Sequence, residues 1–103
     1  MVDAAFLRHM RPGAVLINTA RGDLLDEEAV AGALVEGRLA AAAVDVLASE
    51  PATSSPLLDA PNAIVTPHVA AQTTQAIDRM GMMAAEEVVR VLAGEAPRHP
   101  VPT

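Results

Sequence analysis

No cysteine occurs among the 103 residues, and the only aromatic residue is Phe6. The absence of cysteine excludes a disulfide framework, a thiolate nucleophile and a cysteine-ligated zinc site. Without tryptophan or tyrosine, the hydrophobic core must be built from alanine, valine, leucine, isoleucine and methionine. Because hydrophobic residues still make up 51% of the chain, we expect a folded domain rather than a disordered segment.

Positive charge is also scarce. The chain has 7 lysine and arginine residues against 13 acids, and its net charge of -6 argues against nucleic acid and anionic membrane surfaces as partners. No apolar run approaches the ~18 residues of a membrane span. No basic and apolar signal-peptide pattern follows Met1. We therefore expect at most one domain, in a soluble cytoplasmic protein.

Short apolar runs that alternate with helical patterns predict an α/β fold. The first strand, the next helix and the second strand are joined by short links, which is typical of a βαβ unit with parallel strands and a right-handed crossover. Both of these strands are apolar on both faces, so we expect them to be fully buried. The predicted elements are a helix over 4–10, a strand over 14–17, a helix over 27–36, strands over 40–46 and 63–65, and a long helix from Thr73 or Thr74 to about Ala93.

Proline-rich segments separate and follow these elements. Residues 47–62 contain three prolines and predict a long loop, which inside a compact unit is usually functional or disordered. Residues 94–103 also contain three prolines. We expect residues 1–93 to form the folded part and residues 94–103 to form an extended tail.

Polar side chains follow the ends of the predicted strands. Arg21, Glu50 and His68 lie just past three strand ends, and Asp45 lies at the end of the second strand. Because the carboxyl ends of parallel strands share one edge, these side chains can converge. An arginine suits a carboxylate, an imidazole can exchange a hydroxyl proton, and a neighbouring acid favours the imidazolium form. Such a set could oxidise a 2-hydroxy acid if a cofactor accepts the hydride.

Each of these residues also has a purely structural interpretation. Arg21 could be a solvated surface arginine, and Glu50 a solvated loop acid. Asp45 could cap the loop that follows it, and His68 could be a turn residue. Zinc is another use of histidine and glutamate, but the sequence has no H-E-x-x-H or paired-histidine spacing.

Four ordered segments resemble one family. Residues 10–14 (M-R-P-G-A), 17–22 (I-N-T-A-R-G), 44–51 (V-D-V-L-A-S-E-P) and 66–70 (T-P-H-V-A) are similar to motifs of the D-isomer-specific 2-hydroxyacid dehydrogenases. The resemblance covers the C-terminal part of the NAD-binding domain of that family. Residues 50–54 are also similar to phosphoglycerate dehydrogenases.

The resemblance implies a fold, a cofactor and roles. The fold would be a partial Rossmann-type parallel sheet of three strands and about three helices, the C-terminal half of a dinucleotide-binding domain. The cofactor would be NAD, with NADP as the alternative, and no metal is implied. Arg21 would hold the substrate carboxylate, His68 would be the general acid and base, and Glu50 would be its paired acid. The positions implied to contact the cofactor are Thr19, Ala20, Arg21, Asp45 and His68.

The main departure from the family is the absence of a G-x-G-x-x-G turn and of the acid that reads the ribose beyond it. We therefore expect the chain to begin inside the domain and to be a dehydrogenase fragment that is inactive alone. The parent enzyme would be a homodimer acting on a small 2-hydroxy or 2-oxo carboxylate. One half of a split enzyme and a non-catalytic interaction module are the alternatives.

Overall fold

The computed structural model describes residues 1–51 and 53–101. Ala52, in the predicted loop, and the last two residues of the predicted tail lie outside the described residues. The chain divides into two compact units, Met1–Ala70 and Ala71–Thr103. The first unit is a three-stranded parallel sheet with helices, which confirms the predicted α/β class.

All six predicted helices and strands are found, with ends that differ from the prediction by up to two residues. The three strands lie in the order β1-β2-β3, and both pairs are parallel. The elements are α1 (Ala4–His9), β1 (Ala14–Asn18), α2 (Glu27–Val35), β2 (Leu39–Val44), β3 (Ala63–Val65) and α3 (Thr74–Leu92), with short 3-10 turns at Gly22–Leu24 and Pro56–Leu58.

The three helices begin at side-chain caps that the sequence indicated. Asp3, Asp26 and Thr73 each accept a hydrogen bond from the backbone N–H three residues later, at 2.8, 3.0 and 3.1 Å. These bonds satisfy amide groups that have no partner within the first turn of a helix. Gly37 follows α2 with a φ of 70°, a conformation that glycine adopts without a steric cost.

The core lies on one face of the sheet. Leu39, Ala42 and Val44 of β2 are buried and belong to one cluster with Val30 and Leu34 of α2. The cluster also holds Leu7 of α1 and Leu57 of the second 3-10 turn. Because side chains alternate along a strand, Ala42 and Val44 share one face, and the irregular pairing of β2 with Ala14 and Val15 accounts for Leu39 on that face.

The prediction that β1 and β2 are fully buried is wrong. On β2, Ala40 is exposed. Val15 is 56% exposed and Ile17 is 68% exposed, while Asn18 is buried. On β3, Ile64 is 63% exposed in the same alternating pattern. The apolar composition of β1 and β2 suggested cover on both sides, but the core cluster covers only the other face of the sheet.

The second unit consists of α3 and the residues after it. No residue of α3 is buried, and its apolar residues Ile77, Met80 and Val88 are all exposed. After Gly94, the backbone N–H of Arg98 donates to Glu87 at 2.9 Å. In the part of the chain that the structure describes, no helix combines the length and the apolar character that a membrane crossing requires.

Candidate active site

Three of the four residues predicted to converge line one cavity beside the carboxyl ends of the strands, and Asp45 is not among its lining residues. Arg21 follows β1, Glu50 follows β2, and His68 follows β3. All three line a cavity of about 310 Å³, together with the 3-10 turn after Arg21 and the backbone at Leu47. The parallel strands are responsible for this arrangement, because their carboxyl ends open at the same edge of the sheet.

His68 and Glu50 form a direct pair. His68 Nδ1 lies 2.9 Å from Glu50 Oε2, and the two side chains are 47% and 39% exposed. His68 has a φ of 55°, and its backbone N–H donates to the Asp45 carbonyl oxygen at 2.8 Å. The backbone bond fixes the turn in which the imidazole reaches the carboxylate.

Asp45 organises the loop that carries His68. Its Oδ1 accepts the Thr66 hydroxyl at 2.5 Å and the Val69 N–H at 2.9 Å, and its Oδ2 accepts the Ala70 N–H at 2.9 Å. These hydrogen bonds, that from Thr66 foremost, lower the pKa of the buried Asp45 carboxyl, although burial opposes them. Asp45 therefore anchors the loop that carries His68, whereas the structural interpretation had it capping the loop that directly follows Asp45.

Asn18 shapes the turn that leads to Arg21. Its buried side chain accepts the Ala20 N–H at 3.1 Å and donates to the Arg21 carbonyl oxygen at 2.9 Å. Thr19 and Ala20 are exposed at the end of β1. The Arg21 side chain is bent, since its NH1 donates to the Ala20 carbonyl oxygen at 2.6 Å. Thr19 and Ala20 are therefore held in a fixed turn and are accessible to a ligand.

Four of the five positions predicted to contact the cofactor lie at this edge. Thr19, Ala20 and Arg21 present exposed atoms there, and His68 lines the same cavity as Arg21. Asp45 is different, because three donors already occupy its carboxylate. The Asp45 side chain is also buried, and its contact with the cofactor stays a prediction.

Two contributors to the site were missed from the sequence. Gly22 lies so close to Leu47 and Ala48 that a Cβ added to it would overlap their backbone atoms. Glu27, at the start of α2, accepts the Ala48 N–H at 2.7 Å and the Ser55 hydroxyl at 2.6 Å. Gly22 is the last residue of the family-like segment 17–22, but no local pattern predicts either contact, because the partners are distant along the chain.

A second, larger cavity shares Glu50 and His68 with the first. It has a volume of about 510 Å³, and most of its lining is apolar, including Leu47, Leu58 and Val65. His68 and Glu50 therefore line two cavities. The smaller one is also lined by Arg21, and the larger one is mostly apolar. Within residues 1–51 and 53–101, no three histidine or acidic side chains are grouped as ligands of a metal ion.

Residues 1–70 match the family described as "D-isomer specific 2-hydroxyacid dehydrogenase, NAD binding domain". The D-3-phosphoglycerate dehydrogenase of Mycobacterium tuberculosis H37Rv is 45% identical over 95 residues, which are 92% of this chain and 18% of that protein. The chain thus spans about a fifth of the length of this curated relative. A phosphoglycerate dehydrogenase among the relatives agrees with the similarity seen at residues 50–54.

Solved structures show the same fold. The TT0316 protein of Thermus thermophilus is 40% identical, with a TM-score of 0.85 over 97% of this chain and 32% of that chain. A NADPH-dependent glyoxylate/hydroxypyruvate reductase of Sinorhizobium meliloti, solved with NADP and malonate, is 33% identical, with a TM-score of 0.88 over 97% of this chain and 31% of that chain. A D-lactate dehydrogenase of Lactobacillus jensenii, solved with NAD+, is 30% identical, with a TM-score of 0.83.

Proposed function

Since the chain belongs to the D-isomer specific 2-hydroxyacid dehydrogenase family, we propose that it carries the catalytic side chains of an oxidoreductase acting on the CH–OH group of D-2-hydroxy acids. The matched domain binds NAD, and NADP is the alternative, because related structures contain either cofactor. The observation that carries the proposal is the His68–Glu50 pair at 2.9 Å in a cavity that Arg21 also lines.

Arg21 is proposed to bind the substrate carboxylate. Its guanidinium is a fixed cation with a planar set of donors that matches the two oxygens of a carboxylate. The side chain lines the cavity but is bonded to its neighbour's carbonyl oxygen. Substrate binding would exchange that bond for a stronger, charge-assisted one, because the incoming oxygens are ionised.

His68 is proposed to exchange the proton of the substrate hydroxyl. With Nδ1 at Glu50, the proton moves to and from Nε2. During oxidation the substrate O–H proton passes to His68 and the C–H bond gives up its electron pair as a hydride; during reduction both are returned. The bound nicotinamide supplies the hydride acceptor. Glu50 orients the imidazole and stabilises its protonated form.

We also propose a domain division and an assembly for the chain. Residues 1–93 would be the C-terminal part of an NAD-binding domain, and residues 94–103 its tail. Because the 103 residues contain no G-x-G-x-x-G turn, we propose that this chain alone does not turn over substrate. The active form would be a cytoplasmic homodimer of the longer enzyme, with no nucleic acid or membrane partner.

A chimera tests the catalytic roles. The matched 95-residue segment of the M. tuberculosis relative would be replaced by the corresponding residues of this chain. We expect NAD-dependent turnover of that enzyme's own substrate, measured by the change in NADH absorbance. His68→Ala should lower kcat by about 10²- to 10⁴-fold, the usual contribution of a general acid or base. Arg21→Lys should raise KM by at least about tenfold, through the lost bidentate contact.

Matched changes outside the cavity serve as controls. His9→Ala and Arg11→Lys alter the same residue types at exposed positions in and after α1, and they should leave kcat and KM unchanged. The proposal fails if the chimera folds and binds NADH without turnover, or if His68→Ala behaves like His9→Ala. Oxidation of NADH by the unmodified 103-residue chain with 2-oxo acids would contradict the proposed inactivity.

A further inference from the structure

Glu27 accepts two hydrogen bonds from the loop that carries Glu50. One carboxylate oxygen, Oε1, accepts the backbone N–H of Ala48 at 2.7 Å. The other, Oε2, accepts the hydroxyl of Ser55 at 2.6 Å. Glu50 lies between these two attachment points in the sequence, so a single carboxylate holds the loop on both sides of the candidate acid.

Ser55 extends this connection into the following turn. Its hydroxyl oxygen accepts the Leu57 N–H at 3.2 Å, which caps the 3-10 turn Pro56–Leu58. Leu57 is 1% exposed and belongs to the core cluster. The far end of the loop is therefore tied through Ser55 both to Glu27 and to the hydrophobic core.

Glu27 also joins this loop to the segment that carries Arg21. The chain runs from Arg21 through the 3-10 turn Gly22–Leu24 into α2, where Glu27 is the first residue. On the same side, Gly22 packs directly on the backbone of Leu47 and Ala48. Two independent contacts thus fix the arginine segment against the glutamate loop.

An acid in the first turn of a helix has a simpler role, since it stabilises the positive end of the helix dipole. Glu28 occupies the same turn and is exposed. The dipole accounts for a charge at either position, but it does not account for the two bonds that Glu27 makes to a loop more than 20 positions away. Both bonds are charge-assisted, and such bonds are about twice as strong as neutral ones.

We propose that Glu27 is a positioning residue of the candidate active site, a clamp that holds the chain on either side of Glu50 through Ala48 and Ser55 so that Glu50 meets His68. The inference rests on the proposed function of Arg21, Glu50 and His68. Glu27 does not touch the reacting atoms and acts only through the loop. Loss of the clamp should separate the Glu50 carboxylate from the imidazole while the sheet stays folded.

Nuclear magnetic resonance on the 103-residue chain tests the clamp. Glu27→Ala should speed hydrogen exchange of the Ala48 amide by at least about tenfold, since a bond to a charged acceptor is lost. It should also move the ¹⁵N shifts of the His68 ring most of the way to their values in Glu50→Ala. Glu28→Ala removes an acid from the same helical turn and should change neither signal.

Ser55 provides a milder second test in case Glu27→Ala does not fold. Ser55→Ala removes one of the two attachments and should shift the His68 ring signals in the same direction, whereas Ser55→Thr keeps a hydroxyl and should restore them. The proposal is overturned if the His68 signals stay at wild-type values in Glu27→Ala. If Glu27→Ala does not fold, wild-type His68 signals in Ser55→Ala overturn it. These signals do not depend on turnover, so failure of the clamp and failure of the chimera are separate results.

Discussion

At the scale of single residues, Asp45 has the densest set of polar contacts around the candidate site. Its carboxylate receives three donors from the loop 66–70, and its carbonyl oxygen receives the N–H of His68. The sequence favoured neither a cofactor contact nor a loop cap at this position. The hydrogen bonds run to the loop that carries His68 and not to the loop that follows Asp45, so the predicted cap is not the role observed. The cofactor contact stays a prediction.

The ionisation of Asp45 should make stability depend on acid pH. The folded-state pKa lies below the ordinary value of 3.8, chiefly because of the Thr66 hydrogen bond, so the unfolded chain takes up the proton first. The stabilisation is fully present above pH 3.8 and is lost as the pH falls through the folded-state pKa. Asp3, whose pKa is lowered by the Phe6 N–H, contributes in the same direction. Urea unfolding between pH 2 and 7 measures the effect.

Asp45→Asn isolates this contribution. The amide should reduce the free energy of unfolding at pH 7, because its NH₂ group cannot accept from a backbone N–H, and it should flatten the decline below pH 4. Asp59→Asn removes the same charge at an exposed position and should keep the wild-type profile. If the free energy of unfolding of Asp45→Asn depends on pH as in the wild type, Asp45 is not the group responsible for the acid dependence.

At the scale of structural elements, the site depends on a close approach between two loops. The turn Gly22–Leu24 packs on the backbone at Leu47 and Ala48, and only a residue without a Cβ fits there. The same cavity is lined by residues of both loops and by His68. A side chain at position 22 would push apart the segments that carry Arg21 and Glu50.

Gly22→Ala should therefore destabilise the chain by about 1–3 kcal/mol, the usual cost of forcing an extra methyl group into a packed site. Gly32→Ala is the matched change in α2, where an added Cβ meets no atom within 4 Å. It should stabilise the chain by up to about 1 kcal/mol, since alanine favours a helix over glycine. Denaturant unfolding followed by circular dichroism compares the two, and equal effects would contradict the close contact.

At the scale of the whole molecule, two independent boundaries coincide. The first compact unit ends at Ala70, and the family match also ends at residue 70. This unit contains the sheet, the core cluster and all three candidate catalytic side chains. Its sheet also presents Val15, Ile17 and Ile64 to solvent, and exposed apolar surface of this kind favours association.

We expect residues 1–70 to fold without the rest of the chain. Backbone amides of β2 and the His68 N–H should stay protected from hydrogen exchange in this shorter chain, because their acceptors all lie within it. A chain of residues 1–55 loses β3 and the buried Leu57, so it should unfold. If the amide signals of the 1–70 chain are not dispersed, residues 1–70 do not fold on their own and the prediction is wrong.

The sequence by itself determined the local structure and the family. Helix starts followed from single capping residues such as Asp26, because a cap acts within one turn. The order of strands and helix between residues 14 and 46 predicted parallel pairing, because short links leave few other topologies. The four motifs predicted the family that residues 1–70 match.

Only the tertiary structure decided which distant groups meet and which face of the sheet is covered. The bonds from Glu27 to Ser55 and from Asp45 to Ala70 join residues 28 and 25 positions apart, and no local pattern encodes such pairs. Apolar composition likewise could not distinguish the buried Val44 from the exposed Ile17, because exposure depends on what packs against a strand rather than on the strand itself.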